Sequence, residues 1–190
     1  MQVGGGAAFA FHPVDGARDW PVGDAKRLLQ DAIQSSVMWR EGTMTRPQRI
    51  LVPTDFSEAS DAAKVYATAL ADAFGATLHA LHVIPDPLAL AWGVDAAYLP
   101  QLLDRTQRQV EERLDTLLTP EERGKLHAQF AVETGATAAT IVEYADKHGV
   151  DLIVMGTHGR GAVERMFLGS VTTGVLQRAN CPVVSVRELR

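Results

Sequence analysis

From Arg49 to Val186 short runs of β-branched and apolar residues alternate with longer segments of helical period. A chain with that rhythm folds as βαβ units, because a strand reaches a parallel neighbour only through a crossover that spans the sheet. Ile50-Leu51-Val52 is the first such run; Pro53 stops it, and Ser57 stands where a side-chain oxygen can cap the following helix. In that helix Ala59, Ala62, Ala63, Tyr66, Ala69, Leu70, Ala73 and Phe74 recur at spacings of three and four, one apolar stripe for a sheet face, with Gly75 as C-cap.

The same reading gives strands over Thr77–Val83, ended by Pro85 and Pro87, over Leu126–Val132 and over Val183–Val186. Leu152–Met155, apolar at every position, fits a strand buried on both faces. Helices are expected over Leu99–Leu118, with Leu102, Leu103, Val110, Leu114 and Leu117 inward and Pro120 closing it, over Ala138–His148 stopped by Gly149, and over Ser170–Arg178. The result is an α/β fold with an open parallel sheet of five strands and four helices. Residues 84–98 make a connection longer than the about two to six residues usual in such units.

Residues 1–45 do not join the pattern. Residues 24–40 place Leu28, Leu29, Ala32, Ile33 and Val37 on one face of an amphipathic helix, but only Gly, Ala and a Pro-containing linker precede it. The segment reads as an N-terminal extension, either a poorly ordered tail or a docking helix, ahead of a domain at 46–190.

Composition narrows the function. A formal charge of −5 over 190 residues supplies no net positive field for phosphates, which argues against a dedicated nucleic-acid binder. No run approaches the roughly 18 apolar residues of a membrane span, and Met1–Phe11 lacks a basic leader, so a cytoplasmic protein with no membrane partner is expected. The single cysteine, Cys181, cannot form an internal disulfide and reads as a small apolar residue rather than a nucleophile. His79 and His82 are an odd number of positions apart, so in a strand they face opposite sides and make no two-histidine metal site.

The chemistry concentrates in Met155-Gly156-Thr157-His158-Gly159-Arg160-Gly161 and Phe167-Leu168-Gly169-Ser170-Val171. This stretch leaves a buried strand, passes three glycines and enters a helix at Gly169-Ser170. Glycine lets main chain approach a ligand closely, and a helix N-terminus adds the positive end of its dipole. Ser170 can add a hydroxyl and Arg160 a charge-assisted contact. Either these residues hold a phosphate or the glycines merely make turns. The position, at the carboxyl end of a central strand, and the pairing of two separate glycine sites favour the phosphate. There is no G-x-x-x-x-G-K-[ST], and Gly156, Gly159 and Gly161 read G-x-x-G-x-G, the wrong order for a dinucleotide fingerprint. His158 reads as a solvated loop residue, since nothing is evident to orient it as a base.

Gly156-x2-Gly159-x9-Gly169-Ser170, Asp55 just after the first strand, and the closing Pro182-Val183-Val184-Ser185-Val186 together resemble the universal stress protein family, in its ATP-binding branch. The resemblance covers residues 46–190. It implies the fold of the adenine nucleotide alpha hydrolase-like proteins, a sheet in order 3-2-1-4-5 with helices on both faces. It implies that Gly156, Thr157, His158, Gly159, Arg160, Gly169, Ser170 and Val171, with Met155 at the strand end, wrap ribose and triphosphate. Pro53, Thr54, Asp55 and Val83 would hold ribose and adenine; Asp55 alone can be a turn or cap residue, but its place beside the crevice favours the ribose. It also implies ATP with Mg or Mn bound through the phosphates, and a homodimer through the last strand at Val183, Val184 and Val186.

Three functions compete on this reading. The first is an ATP-binding regulatory module that hydrolyses slowly at most, because no Lys or carboxylate is evidently placed to activate water. The second is a nucleotidyl-transferring enzyme, whose expected H-x-G-H motif is missing its second histidine here. The third is a dimeric interaction module with no nucleotide.

Overall fold

A computed structural model describes residues 8–10, 46–86, 99–157 and 169–187. Six strands form one parallel sheet: β1 (Ala8–Ala10), β2 (Arg49–Pro53), β3 (Thr77–Pro85), β4 (Gln129–Gly135), β5 (Leu152–Gly156) and β6 (Val183–Val186). Their spatial order is β1-β6-β5-β2-β3-β4. The five strands expected from the sequence therefore lie in the order 3-2-1-4-5, and a sixth from the N-terminal extension is added beside the last.

The central strand shows why the sheet is covered on both sides. Ile50, Leu51 and Val52 are all fully buried, yet Ile50 and Val52 belong to one core cluster and Leu51 to the other. Successive side chains of a strand point to opposite faces, so each face needs its own helices. On the Ile50 face lie α1 (Glu58–Phe74) and α2 (Leu99–Asp115), contributing Ala63, Ala67, Leu70, Val110 and Leu114. On the Leu51 face lie α4 (Thr137–His148) and α5 (Ser170–Arg178), contributing Ile141, Tyr144, Ala145 and Val175.

In α1 Ser57 caps the first turn by accepting from the Ser60 N–H, and Gly75 ends the helix at φ 66°. Its buried stripe is Ala59, Ala63, Ala67 and Ala71 with Leu70, rotated from the expected one: Ala69 and Ala73 are only half-buried. Alanines every four residues let the helix axis lie close to the sheet. The third strand also needs correcting. Leu126 is not in it but ends an extra short helix, α3 (Pro120–Lys125), and the strand starts at Gln129. Thr119 and Glu122 form a reciprocal capping box with Pro120 in the first turn, so this proline starts a helix instead of closing the one before it. The preceding helix ends at Asp115, and Leu102, expected inward, is 50% exposed. The second strand runs on through Pro85.

β1 was not read in the sequence. It lies parallel to β6 with Ala8 opposite Val183, Phe9 opposite Val184 and Ala10 opposite Ser185. The edge of β6 expected to carry a second copy is thus paired within the chain. The amphipathic segment at 24–40 and most of the connection 84–98 lie outside the described residues. Among the described residues no helix is long and apolar enough to cross a membrane.

Candidate functional site

Between β2 and β5 the chain order reverses: β3 and β4 follow β2 on one side, β5 and β6 lie on the other. Open α/β sheets leave a crevice beyond the carboxyl ends of the strands at such a point. Pro53 and Gly156 are those two ends here.

After β2 the chain turns sharply. The Thr54 N–H still donates to the Leu81 carbonyl at 2.8 Å, and the Thr54 hydroxyl accepts from the Phe56 N–H at 3.0 Å. Asp55 Oδ1 accepts from the Ser57 N–H at 3.1 Å and from the Ser57 hydroxyl at 2.6 Å. Asp55 is therefore a turn residue, and the same turn stands it at the mouth of the crevice. Phe56 pays for the tightness with a left-handed φ of 60°, uncommon for a bulky side chain. Its ring is held: it stacks on His82 at 4.9 Å between centroids, and the Arg113 guanidinium lies 4.1 Å from its centre. His82 Nδ1 in turn donates to the Thr54 carbonyl at 2.8 Å, tying β3 to the turn.

On the β5 side Gly156 has a packing reason to be glycine. A Cβ there would stand 2.7 Å from the Ala59 carbonyl oxygen. The close approach is therefore to α1, whatever else the glycine admits. Thr157 donates its N–H to the Val186 carbonyl at 2.9 Å, and its own carbonyl accepts from the Gly169 N–H at 2.7 Å. The buried Thr172 hydroxyl donates to the Gly156 carbonyl at 2.9 Å. These bonds fasten the first turn of α5 to the end of β5.

Gly169 is the N-cap of α5 and supplies no side-chain cap. Among the described residues no side chain caps the first-turn N–H groups, Ser170 and Val171 among them, and this end carries the positive pole of the dipole. Val83 and Met155 put their side chains into the core below. The alternation that points the Leu81 carbonyl at Thr54 turns the main chain of Val83 the same way, just beyond the end of β2. Pro53, Thr54, Asp55, Val83, Met155, Gly156, Thr157, Gly169, Ser170 and Val171 accordingly share one edge of the sheet. His158, Gly159 and Arg160 lie outside the described residues.

Sequence reasoning missed Thr172 and the Phe56–His82–Arg113 brace. Thr172 had a signal, since it falls one helical step inside the glycine entry; the brace joins three elements and had none. His79 and His82 do face opposite sides: His79 meets Tyr144 of α4, His82 meets Phe56. Burial, with Asp146 nearby, pushes the Cys181 thiol up to about 11, so it is a poor nucleophile.

The profile of the universal stress protein family matches residues 47–187. A universal stress protein of Methanocaldococcus jannaschii is 33% identical over 144 residues, covering 74% of this chain and 82% of that protein. Universal stress protein G of Escherichia coli O157:H7 is 32% identical over 144 residues, covering 73% and 97%. Among solved structures, universal stress protein UspA from Lactobacillus plantarum superimposes with a TM-score of 0.62 at 30% identity, over 76% of this chain and all of that one. A universal stress protein solved in complex with cAMP superimposes at 0.50 with 25% identity, over 76% of this chain and 100% of that one.

Proposed function

Because the chain belongs to the universal stress protein family, we propose that it is an ATP-binding regulatory module of the stress response, acting in the cytoplasm. The observation that carries the reading is the first turn of α5, lacking a cap side chain and fastened at the switch point between β2 and β5. Uncovered helix N–H groups are an anion site that needs no net positive protein, which suits a chain of charge −5.

In this reading the triphosphate lies over Gly169, Ser170 and Val171, joined by Gly156, Thr157, His158, Gly159 and Arg160. Asp55 holds the ribose, and the main chain of Val83 meets the adenine edge. Mg or Mn would be held through the phosphates. The likeness to a protein solved with cAMP supports an adenine ligand. A homodimer would form through the last strand at Val183, Val184 and Val186, on the edge that β1 covers within the single chain.

The test starts from purified protein, denatured to release small molecules that are then separated by anion exchange. Co-purified ATP or ADP, or a calorimetric titration with Mg-ATP tighter than with cAMP, supports the reading. No nucleotide and no heat with either would refute it. Turnover above roughly 1 per second, within the ordinary enzyme range, would replace a regulatory module with an enzyme.

A further inference from the structure

We infer that β1 is a built-in guard strand, which occupies the outer edge of β6 and keeps a second copy of the chain from pairing there. The inference rests on the reading of β6 as the assembly edge and adds what controls it.

The hydrogen-bond directions define the contact. The Ile153 N–H donates to the Pro182 carbonyl at 3.0 Å and the Thr157 N–H to the Val186 carbonyl at 2.9 Å. Main-chain groups of a strand alternate sides, so residues 182, 184 and 186 face β5, and Val183 and Ser185 face β1. With Phe9 opposite Val184 in the register, Phe9 is the β1 residue whose N–H meets the Val183 carbonyl and whose carbonyl meets the Ser185 N–H. Without β1 that side of Val183–Val186, a sequence of three valines and one serine, would be an unpaired apolar edge, the kind that recruits another strand.

The guard wins by tethering and yields by brevity. A strand joined to its own partner acts at an effective concentration on the order of millimolar, so a second copy at micromolar concentration is disfavoured by about a thousandfold at equal pairing strength. Yet among the described residues three pair, which makes the cover displaceable.

The test keeps the full chain and substitutes Phe9→Pro, which removes the one N–H aimed at Val183 and leaves the five-stranded sheet untouched. Amide exchange by NMR and sedimentation velocity are read together. In the wild-type chain, a monomer with a protected Ser185 amide is expected. In Phe9→Pro at low concentration that amide loses at least tenfold in protection, while Val184 and Val186, bonded to β5, keep theirs as internal controls. At higher concentration the variant dimerises and the Ser185 amide regains protection. Unchanged protection of Ser185 in the variant would overturn the guard itself. Lost protection without dimerisation at any concentration would overturn the competition, and with it β6 as the assembly edge. A wild-type dimer that Phe9→Pro converts to monomer would show β1 donated to a partner instead, also overturning the inference.

Discussion

Gly156→Ala tests whether the first glycine of the loop serves packing before it serves any ligand. The added methyl would lie 2.7 Å from the Ala59 carbonyl oxygen, 2.8 Å from its carbon and 3.0 Å from its Cβ. Ordinary contact begins near 3.4 Å, so the main chain of α1 must retreat by about 0.7 Å. No side chain can rotate away to relieve it. A gap of that size forfeits a quarter to a half of each van der Waals contact it opens, here along Ala59 and Ala63 against the sheet. Over-packing of this kind costs about 1–3 kcal/mol, and about 2 is expected because the obstacle is backbone. For a domain of this size that lowers Tm by about 4–8 °C. Urea denaturation without nucleotide measures it, with an unchanged m-value showing that only stability moved. A loss below about 0.5 kcal/mol, or a full loss of ATP affinity at unchanged stability, would refute the packing account.

Gly169→Asp is expected to abolish ATP binding while stability holds or rises by a few tenths of a kcal/mol, since Asp is a good N-cap whose carboxylate fills and repels the phosphate position; calorimetry showing retained affinity would remove α5 from the site. His79 is 2% exposed, its Nδ1 lies 3.1 Å from the Tyr144 hydroxyl, and its Nε2 has no hydrogen-bond partner among the described residues. Burial first, then His148 and Arg49, hold its pKa below the ordinary 6.5, so the unfolded chain binds a proton that the folded one refuses. Stability should therefore fall as pH drops below about 6.5, and in His79→Leu urea midpoints at about pH 5.5 and 7.5 should differ less than in the wild type; equal differences would remove His79 as the cause. Cys181, with its thiol pushed up to about 11, should react with iodoacetamide far more slowly in the native than in the urea-unfolded chain at pH 8, and equal rates would contradict its burial.

What could be read from the residues was what repeats locally. Strand patterning, the Ser57 cap and the glycine stops at Gly75 and Gly149 are short-range signals, and the structure has them in place. α3 was hidden because Pro120 carries two meanings, end of one helix or first turn of the next, and only the Thr119–Glu122 pair decides between them. β1 was hidden for a deeper reason: three residues, Ala-Phe-Ala, have no period of their own, and their strand character comes from a partner at the far end of the chain. At the site, the glycine spacing was legible, but the contact that needs Gly156 was not, because Ala59 reaches it from another element.

The pairing of Ala8 with Val183 also bears on how the chain comes to its final state during synthesis. The two partners are 175 positions apart in the sequence. At about 5–20 residues per second a ribosome needs about 9–35 s to travel that distance. For all that time β1 is without its mate, while β2 through β5 emerge and collapse beside it. The β1–β6 ladder therefore cannot close until β6 has been made, and a chaperone or protease that meets β1 has those seconds in which to decide whether it closes at all.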